Sequence, residues 1–181
     1  ATLQPETSQN REVGVKYEQN GNSFSAILYR NDVSNLIYYG TRTYEQAALA
    51  QYKGITLAAS KRIAGVSVGG SLDMQNPRNM VTGKQLARRA KQMATLTADT
   101  RLSGWNMGAE LQMTGSRFDN AANTNRLPSY TLLNLTASTA LSRDWTVLGR
   151  VDNVADQAYE TAKGYATAGL GFFVGLKWSP L

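Results

Sequence analysis

The sequence predicts an all-β fold of antiparallel strands, on the basis of three observations. Apolar and polar residues alternate repeatedly along the chain, as they do in strands with one apolar face. The connections between these segments are, in succession, a tight turn and then a long polar loop. The last segment, 170–178, reads LGFFVGLKW and is apolar along one whole face. A strand of about ten residues can cross a bilayer when tilted, so the pattern favours a transmembrane β-barrel.

The first half of the chain contains four predicted strands. Residues 11–19 alternate, an Asn-Gly-Asn tripeptide at 20–22 predicts a tight hairpin turn, and alternation resumes from Phe24. The polar, tyrosine-rich stretch 30–44 breaks the alternation and predicts a long loop. A third strand is expected around 55–60 and a fourth at 66–74, joined by a short turn at 62–65.

The second half repeats this arrangement, for a total of about nine strands. Long loops are predicted at 76–86, 116–128 and 153–167, and the strands between them at 90–101, 105–114, 133–141 and 145–151. Trp105 and Trp145 each follow a short turn. That position is typical of aromatic residues at a membrane–water interface, here the periplasmic one.

The charged residues on the less apolar faces help to separate two architectures. They are Glu12, Lys16, Asp73, Glu110 and Arg150. A wet barrel interior would solvate them, whereas a packed soluble core would bury them at a cost of several kcal/mol each. The pattern favours the barrel but leaves a soluble antiparallel sandwich open. If there are nine strands, the first and last run in the same direction, so they cannot close antiparallel and belong to a larger barrel. A count of eight would allow a small closed barrel.

The composition excludes several kinds of chemistry. The 181 residues contain no cysteine and no histidine, and the net charge is +6. Disulfides, thiol catalysis, the Ser-His-Asp triad and the usual zinc sites are therefore excluded, and we expect no catalytic residue, metal site or cofactor. The charges are scattered rather than gathered in one basic stripe, which argues against nucleic acid as a partner. The first residues show no signal peptide.

Four stretches of the sequence resemble TonB-dependent outer-membrane receptors. They are PETS with EVG in 5–14, LARRAK at 86–91, VDNVAD followed by YE in 151–160, and GY at 164–165 before the last strand. The second and fourth, together with TGSRFD at 114–119, are similar to the cobalamin (vitamin B12) receptor branch. The resemblance implies a 22-stranded barrel filled by an N-terminal plug. Residues 1–181 would form one unit, the C-terminal part of that barrel with about nine strands, without the plug and the first strands.

The resemblance implies a transport component and not an enzyme. The chain would form the barrel wall of a receptor that takes up cobalamin or a related corrinoid through the outer membrane of a Gram-negative bacterium. The implied partners are that ligand, the TonB complex through a plug not present here, the rest of the receptor barrel, the barrel-assembly machinery, and lipid and lipopolysaccharide. The alternatives are an autonomous small outer-membrane barrel with a structural or adhesion role, and a soluble basic binding module.

Arg88 is the residue that the resemblance implies to contact the ligand. It matches the first arginine of the A-R-R-A-K motif, and a fixed guanidinium offers five donors to amide, phosphate or carbonyl oxygens. The alternative is that Arg88 and Arg89 only solvate the rim of the barrel. The family has a second contact, a tyrosine after the T-R-Y-D-like segment, where this sequence has Ala122.

Three residues of the 30–44 stretch and two of the last strand complete the candidates. Tyr38, Tyr39 and Arg42 could form a stacking wall for a large planar ligand, although an aromatic girdle at the outer leaflet is the more common role of such a stretch. The resemblance places Phe172 and Trp178 in the barrel-assembly signal. Pro180 cannot donate a ladder hydrogen bond, so the last strand should end before it.

Overall fold

The computed structural model describes residues 3–39 and 43–180, except for two side chains, those of Tyr39 and Ala48. Within these residues there is no helix, and therefore none that could span a membrane. The strands are β1 (Thr7–Gln19), β2 (Asn22–Tyr39), β3 (Tyr44–Ile63), β4 (Val66–Gln75), β5 (Arg78–Asn79), β6 (Gln92–Leu102), β7 (Trp105–Thr114), β8 (Arg117–Phe118), β9 (Arg126–Leu127), β10 (Tyr130–Ala140), β11 (Trp145–Asp152) and β12 (Gly171–Trp178).

Nine long strands form one antiparallel meander, in the order β1-β2-β3-β4-β6-β7-β10-β11-β12. We call these nine strands the wall. Short β5 adds to β3 beyond the end of β4, and β8 and β9 form a separate small hairpin. In the part of the chain that the structure describes, β1 and β12 are not paired, so the sheet is open. The predicted count of about nine strands is confirmed, and so is the prediction that they do not close among themselves.

The two ends of the wall differ, as the sequence predicts. At one end tight turns join the strands at Asn20-Gly21, Ala64-Gly65 and Ser103-Gly104. Both residues of each pair have positive φ, for example 51° and 71° in the first. Two-residue turns of this kind match the twist of a hairpin. The long loops lie at the other end, and β12 ends at Trp178, before Pro180, as expected.

Cross-strand pairing aligns the apolar positions of neighbouring strands into rows. Val13 pairs with Leu28 and Leu28 with Ile55, and paired residues lie on the same side of a sheet. The wall therefore has one continuous apolar face, which is strongly exposed. Its most exposed members include Val13 (68%), Val15 (65%), Phe172 (75%) and Val174 (77%). No second sheet covers this face within 3–39 and 43–180, so the sandwich alternative is wrong.

The opposite face of the wall is polar and hydrogen-bonded. The hydroxyl of Tyr29 donates to Asp73 over 2.9 Å, and the amide of Asn134 donates to Glu110 over 3.1 Å. The guanidinium of Arg150 lies over the ring of Phe173, 5.5 Å from its centroid. Asp73, Glu110 and Arg150 thus lie on the face turned away from the apolar one, as the alternation predicts, whereas Arg11, Arg30 and Lys53 lie on the apolar side at its long-loop end.

The predicted long loop at 30–44 is wrong. β2 continues to Tyr39, β3 begins at Tyr44, and these two residues are paired. The apolar alternation stops near Arg30, where the loop after β4 packs against this hairpin through Leu86, Val33 and Ala50. Backbone hydrogen bonds continue the ladder where the apolar alternation has ended. The two strands are therefore longer than the side-chain pattern predicts.

The buried apolar residues lie at the long-loop end of the wall. Leu86, from the loop after β4, packs on Val33 and Ala50, with Leu36 and Tyr52 beside them. The other buried hydrophobic residues belong to the same end of the sheet; they are Ala47, Ala90, Leu127 and Leu132. The core of the described chain is therefore built where the loops fold over the upper strands.

Candidate functional site at the long-loop end

Three loops meet above the wall, and we call them loop A (76–91), loop B (115–129) and loop C (153–170); together they form the rim. Loop A is held against β3, because β5 pairs Asn79 with Ala50. The side-chain oxygen of Asn79 accepts the N–H groups of Val81 (2.9 Å) and Thr82 (3.0 Å) and so closes the tip of the loop. Pro77 at its base is fully buried. Loop A is therefore a folded hairpin with a fixed position.

Loops A and B are joined through Arg88 and through a reciprocal amide pair. Nε of Arg88 lies 2.7 Å from Oδ1 of Asp119, and its backbone N–H donates to the carbonyl of Phe118 over 2.6 Å. The N–H of Gln85 donates to the side chain of Asn123, whose amide donates back to the Gln85 carbonyl, both over 2.9 Å. These four hydrogen bonds fix Arg88 at the junction of two loops.

The surroundings of Asp119 change the pKa of its carboxyl group. Partial burial acts to raise the pKa of Asp119. The hydrogen bond from Arg88, a backbone hydrogen bond from Lys163 and the charges of Arg88 and Arg117 outweigh that effect, so the pKa lies below its usual range. The side chain of Arg88 is 48% exposed, and its two terminal nitrogens have no partner within the described residues. The guanidinium is thus oriented by Nε and keeps its outer edge available.

Loops B and C are joined through Arg117. This side chain is only 5% exposed; it donates to the carbonyl of Glu160 over 2.7 Å and lies over the ring of Tyr130, 5.3 Å from the centroid. The ring of Tyr130 in turn contacts that of Tyr159, with centroids 4.5 Å apart. A buried cation is costly unless paired, and here an aromatic face and a carbonyl compensate part of that cost.

Two side chains close loop C, and the sequence analysis did not identify either of them as a structural residue. Asn153, with φ of 51°, exchanges two hydrogen bonds with the backbone of Gln157, at 3.0 and 2.9 Å. Oδ1 of Asp156 accepts the N–H of Leu170 over 2.9 Å. The signal was present in the VDNVAD stretch, because Asn and Asp tolerate positive φ and bond to nearby backbone.

Of the three candidates near the tip of the β2–β3 hairpin, the structure locates one completely. Tyr38 lines a cavity of about 60 Å³ together with Leu86, Ala87 and Arg89, and its hydroxyl donates to Glu45 over 3.1 Å. Burial, followed by the bond to Glu45, raises the pKa of Tyr38. Tyr38 thus faces loop A beside the neighbours of Arg88.

Tyr39 is placed only through its backbone, which pairs with Tyr44, and Arg42 lies outside the described residues. Both roles considered for this stretch, a stacking wall for a ligand and an aromatic girdle, stay predictions. Ligand contact by Arg88 is likewise a prediction. Within the described ranges there is no group of three or more His, Cys, Asp or Glu residues that could hold a metal ion.

The two aromatic residues of the last strand lie on the apolar face of the wall. Phe172 pairs with Val151, and Trp178 pairs with Trp145 at the tight-turn end. The two tryptophan rings are 6.3 Å apart. The N–H of Ser179 donates to the carbonyl of Asp144 over 2.9 Å, so the strand end is tied to the preceding turn. The role of Phe172 and Trp178 in assembly stays a prediction.

Known structures with the same fold include a copper transporter and receptors for ferric siderophores. The copper transporter OprC matches with a TM-score of 0.82 and 16% identity, over 98% of this chain and 32% of that one. A variant of the ferric enterobactin receptor PfeA from Pseudomonas aeruginosa matches at 0.78 and 19%, over 96% and 31%. The ferric yersiniabactin uptake receptor FyuA from Yersinia pestis matches at 0.74 and 17%, over 94% and 28%. The chain thus spans about a third of the length of these proteins.

The sequence itself matches a protein family over most of its length. Residues 1–154 match the family described as TonB dependent receptor-like, beta-barrel, and the open meander with tight turns at one end and long loops at the other has the form of a segment of such a barrel. The chain therefore belongs to the TonB-dependent receptor β-barrel family.

Proposed function

We propose that residues 1–181 form, as one unit, the C-terminal wall of an outer-membrane TonB-dependent transporter in a Gram-negative bacterium. The barrel would have 22 strands, and the plug that responds to the TonB complex would lie outside these residues. The exposed apolar face of the wall supports a lipid environment, because a monomer in water rarely exposes so large an apolar surface. The polar face would then look into the lumen, where plug and water solvate its charges. The chain would act in transport and not in catalysis.

The ligand that we propose is cobalamin or a related corrinoid. The support for it is the similarity of LARRAK and TGSRFD to the cobalamin receptor branch, together with the position of Arg88. The relatives of known structure carry other cargo, namely copper, ferric enterobactin and ferric yersiniabactin. A metal chelate of another kind is therefore the competing ligand, and the experiment below includes it.

The observation that carries the ligand proposal is the geometry of Arg88. Asp119 holds Nε at 2.7 Å, so the planar guanidinium is oriented before any ligand arrives, and its exposed edge offers two parallel donors. Preorganisation of this kind lowers the entropic cost of binding. Amide and phosphate oxygens, which a corrinoid presents at its periphery, accept such donors.

Equilibrium binding of cyanocobalamin to the intact receptor that carries this segment tests the proposal, with Arg88→Ala as the variant. Loss of hydrogen bonds from a charged donor should weaken binding by about 10- to 100-fold. Arg89→Ala is the matched control, because Arg89 is the adjacent arginine of the same motif and lies at the Tyr38 cavity. An unchanged Kd for Arg88→Ala would remove Arg88 from the site. If the unmodified receptor binds a ferric catecholate and not cyanocobalamin, the corrinoid is wrong and the transporter reading stands.

Assembly of the wall is the second part of the proposal. Phe172 and Trp178 lie on the apolar face of the terminal strand, 75% and 59% exposed, where the barrel-assembly machinery would read them. The ring of Trp178 beside Trp145 would also anchor the tight-turn end at the membrane interface, because an indole ring is amphipathic.

A further inference from the structure

A row of paired residues crosses the polar face of the wall near its tight-turn end, and we call it the polar row. It runs from β3 to β12, and its members are, in order, Arg62, Ser67, Asp99, Gly108, Thr136, Arg150 and Phe173. Paired residues lie on the same side of a sheet, so the row shares the face of Asp73 and Glu110. It carries an arginine toward each end and an aspartate between them.

Gly108 leaves the backbone uncovered at the centre of the polar row. A methyl group at this position would lie 2.6 Å from Oγ1 of Thr136 and 2.8 Å from Oδ1 of Asp99. Both side chains therefore lean across the glycine from the two neighbouring strands, and their oxygen atoms converge on one point of the face. Two oxygen atoms in this arrangement can accept hydrogen bonds from one ammonium or guanidinium group.

The charged groups of this part of the wall are largely without partners. Asp99 is exposed, and it has no salt bridge or hydrogen-bonded side chain within residues 3–39 and 43–180. In the same described ranges this is also true of the exposed side chains of Arg62 and Arg101. Arg150 pairs with Asp152, with Nε and Oδ1 3.0 Å apart, but both side chains stay about half exposed. Three arginines and two aspartates thus remain open to a charged partner.

The polar row borders a depression of about 490 Å³ on this face. Arg101 and Asn106 continue its lining toward the tight turns, and no residue of the rim belongs to that lining. The loops that bury the apolar cluster lie at the other end of the wall. The depression is therefore a surface that the described part of the chain leaves uncovered.

The width of the polar row favours a polypeptide over a small ion as its occupant. Five steps between neighbouring strands separate Arg62 from Arg150, which amounts to about 24 Å at about 4.8 Å per step. A single phosphate or carboxylate could contact one of these arginines but not both, and Asp99 would repel it. An extended segment of about seven residues spans the same distance and can carry charges of both signs.

We propose that the polar row is the docking surface for an extended segment of the plug. A lysine or arginine of that segment would lie between Asp99 and Thr136, and its carboxylates would lie opposite Arg62 and Arg150. The inference rests on the proposed function in one respect, the presence of a plug outside residues 1–181. It adds the place of the contact and the order of charges on the partner, which is negative, positive and negative. Complementary charges of this kind fix the register of an interface.

Photo-cross-linking in the intact receptor tests where the segment lies. With p-benzoylphenylalanine in place of Ser138, which lines the depression, we expect a cross-link to a peptide outside residues 1–181 that contains acidic and basic residues. Thr95 replaced in the same way is the matched control, because it lies on the same face farther from the tight turns. Cross-links from Thr95 alone would overturn the docking surface and leave the plug in place. Their absence from both positions would overturn the plug as well.

Charge changes at Asp99 test the pairing with a cation. Hydrogen exchange of the cross-linked segment should become about fivefold faster in Asp99→Asn. In Asp99→Lys it should become faster by more than about tenfold, because a like charge then faces the cation of the partner. Reversal of that cation to glutamate in the Asp99→Lys receptor should restore slow exchange. Lys177→Gln is the matched control, a cation on the same face and end but outside the depression, and should leave exchange unchanged.

Three results of the exchange experiment would overturn the proposal. They are unchanged exchange in Asp99→Lys, an equal increase in Lys177→Gln, and continued fast exchange after the charges are reversed on both partners. Heat-modifiable electrophoretic mobility checks that each variant is folded. Cyanocobalamin binding to the same preparations reports separately on the Arg88 site, so failure of the ligand proposal leaves the docking result interpretable.

Discussion

The wall and the rim solve the same problem, the placing of apolar and polar groups, in opposite ways. In the wall the apolar residues point outward and stay exposed, as Val15 does at 65%, while hydrogen bonds lie on the other face. In the rim the apolar residues are inside, as Leu127 is at 0%, and charged side chains join the loops around them. The difference is the one expected if two surroundings act on one chain, because the proposed membrane placement would put lipid around the wall and water around the rim.

This comparison accounts for the location of the core. A soluble sheet would bury its apolar face against a second layer, yet the buried cluster of Val33, Ala50 and Leu86 lies at the loop end. Loops in water must build their own apolar interior to hold a fixed shape. In the proposed membrane placement the wall needs none, because backbone ladders and surrounding lipid would stabilise it.

A charge on the lipid-facing side of the wall should have the largest effect. Val15→Arg is expected to lower the free energy of unfolding by about 2–4 kcal/mol, since Val15 lies on the apolar face of β1, away from both ends of the strand. Val81→Arg is the control, at 71% exposure on the tip of loop A, and should change stability by less than about 0.5 kcal/mol. Urea unfolding of the intact receptor in lipid bilayers measures both. Equal effects would mean that the wall does not face lipid.

Removal of the buried cation of the rim should have a smaller, local effect. Arg117→Ala leaves the Glu160 carbonyl and the Tyr130 ring without their partner. The free energy of opening of loop C should therefore fall by about 1.5–3 kcal/mol. Hydrogen exchange of loop C amides measures this opening, and the wall amides should not change.

Arg126→Ala provides the control for that experiment. Arg126 pairs with Phe118 on the other side of the same small hairpin, is exposed, and donates to Ser116 over 3.1 Å. Its removal should change the free energy of opening of loop C, as measured by hydrogen exchange, by less than about 0.5 kcal/mol. Equal protection of loop C in both variants would contradict the role given to Arg117.

Acid should produce the smallest effect, at the contact between loops A and B. The pKa of Asp119 lies below its usual range in the folded chain, so its contribution is present above the ordinary aspartate pKa of about 3.9 and is lost as the pH falls through the lowered folded value. The pair with half-exposed Arg88 should be worth about 0.2–1 kcal/mol. Distances between spin labels on the two loops, followed from pH 7 to pH 2, would show the loosening.

Asp119→Asn should abolish this acid step, because the amide does not titrate. Asp144→Asn, at a turn on the other end of the wall, should retain it. An acid step of the same size in Asp119→Asn would assign the loosening to another group of the rim.

The alternation of apolar and polar residues was enough to predict the wall. The period of two is local, so nine strands, the two faces and the unpaired ends could be worked out without coordinates. The tight turns were equally visible, since Asn-Gly and Ser-Gly pairs accept positive φ. The end of β12 before Pro180 was also predictable, because proline has no backbone N–H to donate to the ladder. The family motifs pointed to the same fold.

Only the tertiary structure decided how the rim is built and how far β2 and β3 extend. Arg88 and Asp119 are 31 residues apart in sequence, and Arg117 and the Glu160 carbonyl are 43 apart, so no local period connects them. The hairpin beyond Arg30 continues through backbone hydrogen bonds, which any side chain permits. A pattern of side chains reveals the surroundings that a strand meets along its length, whereas contacts between loops depend on which strands are neighbours in space.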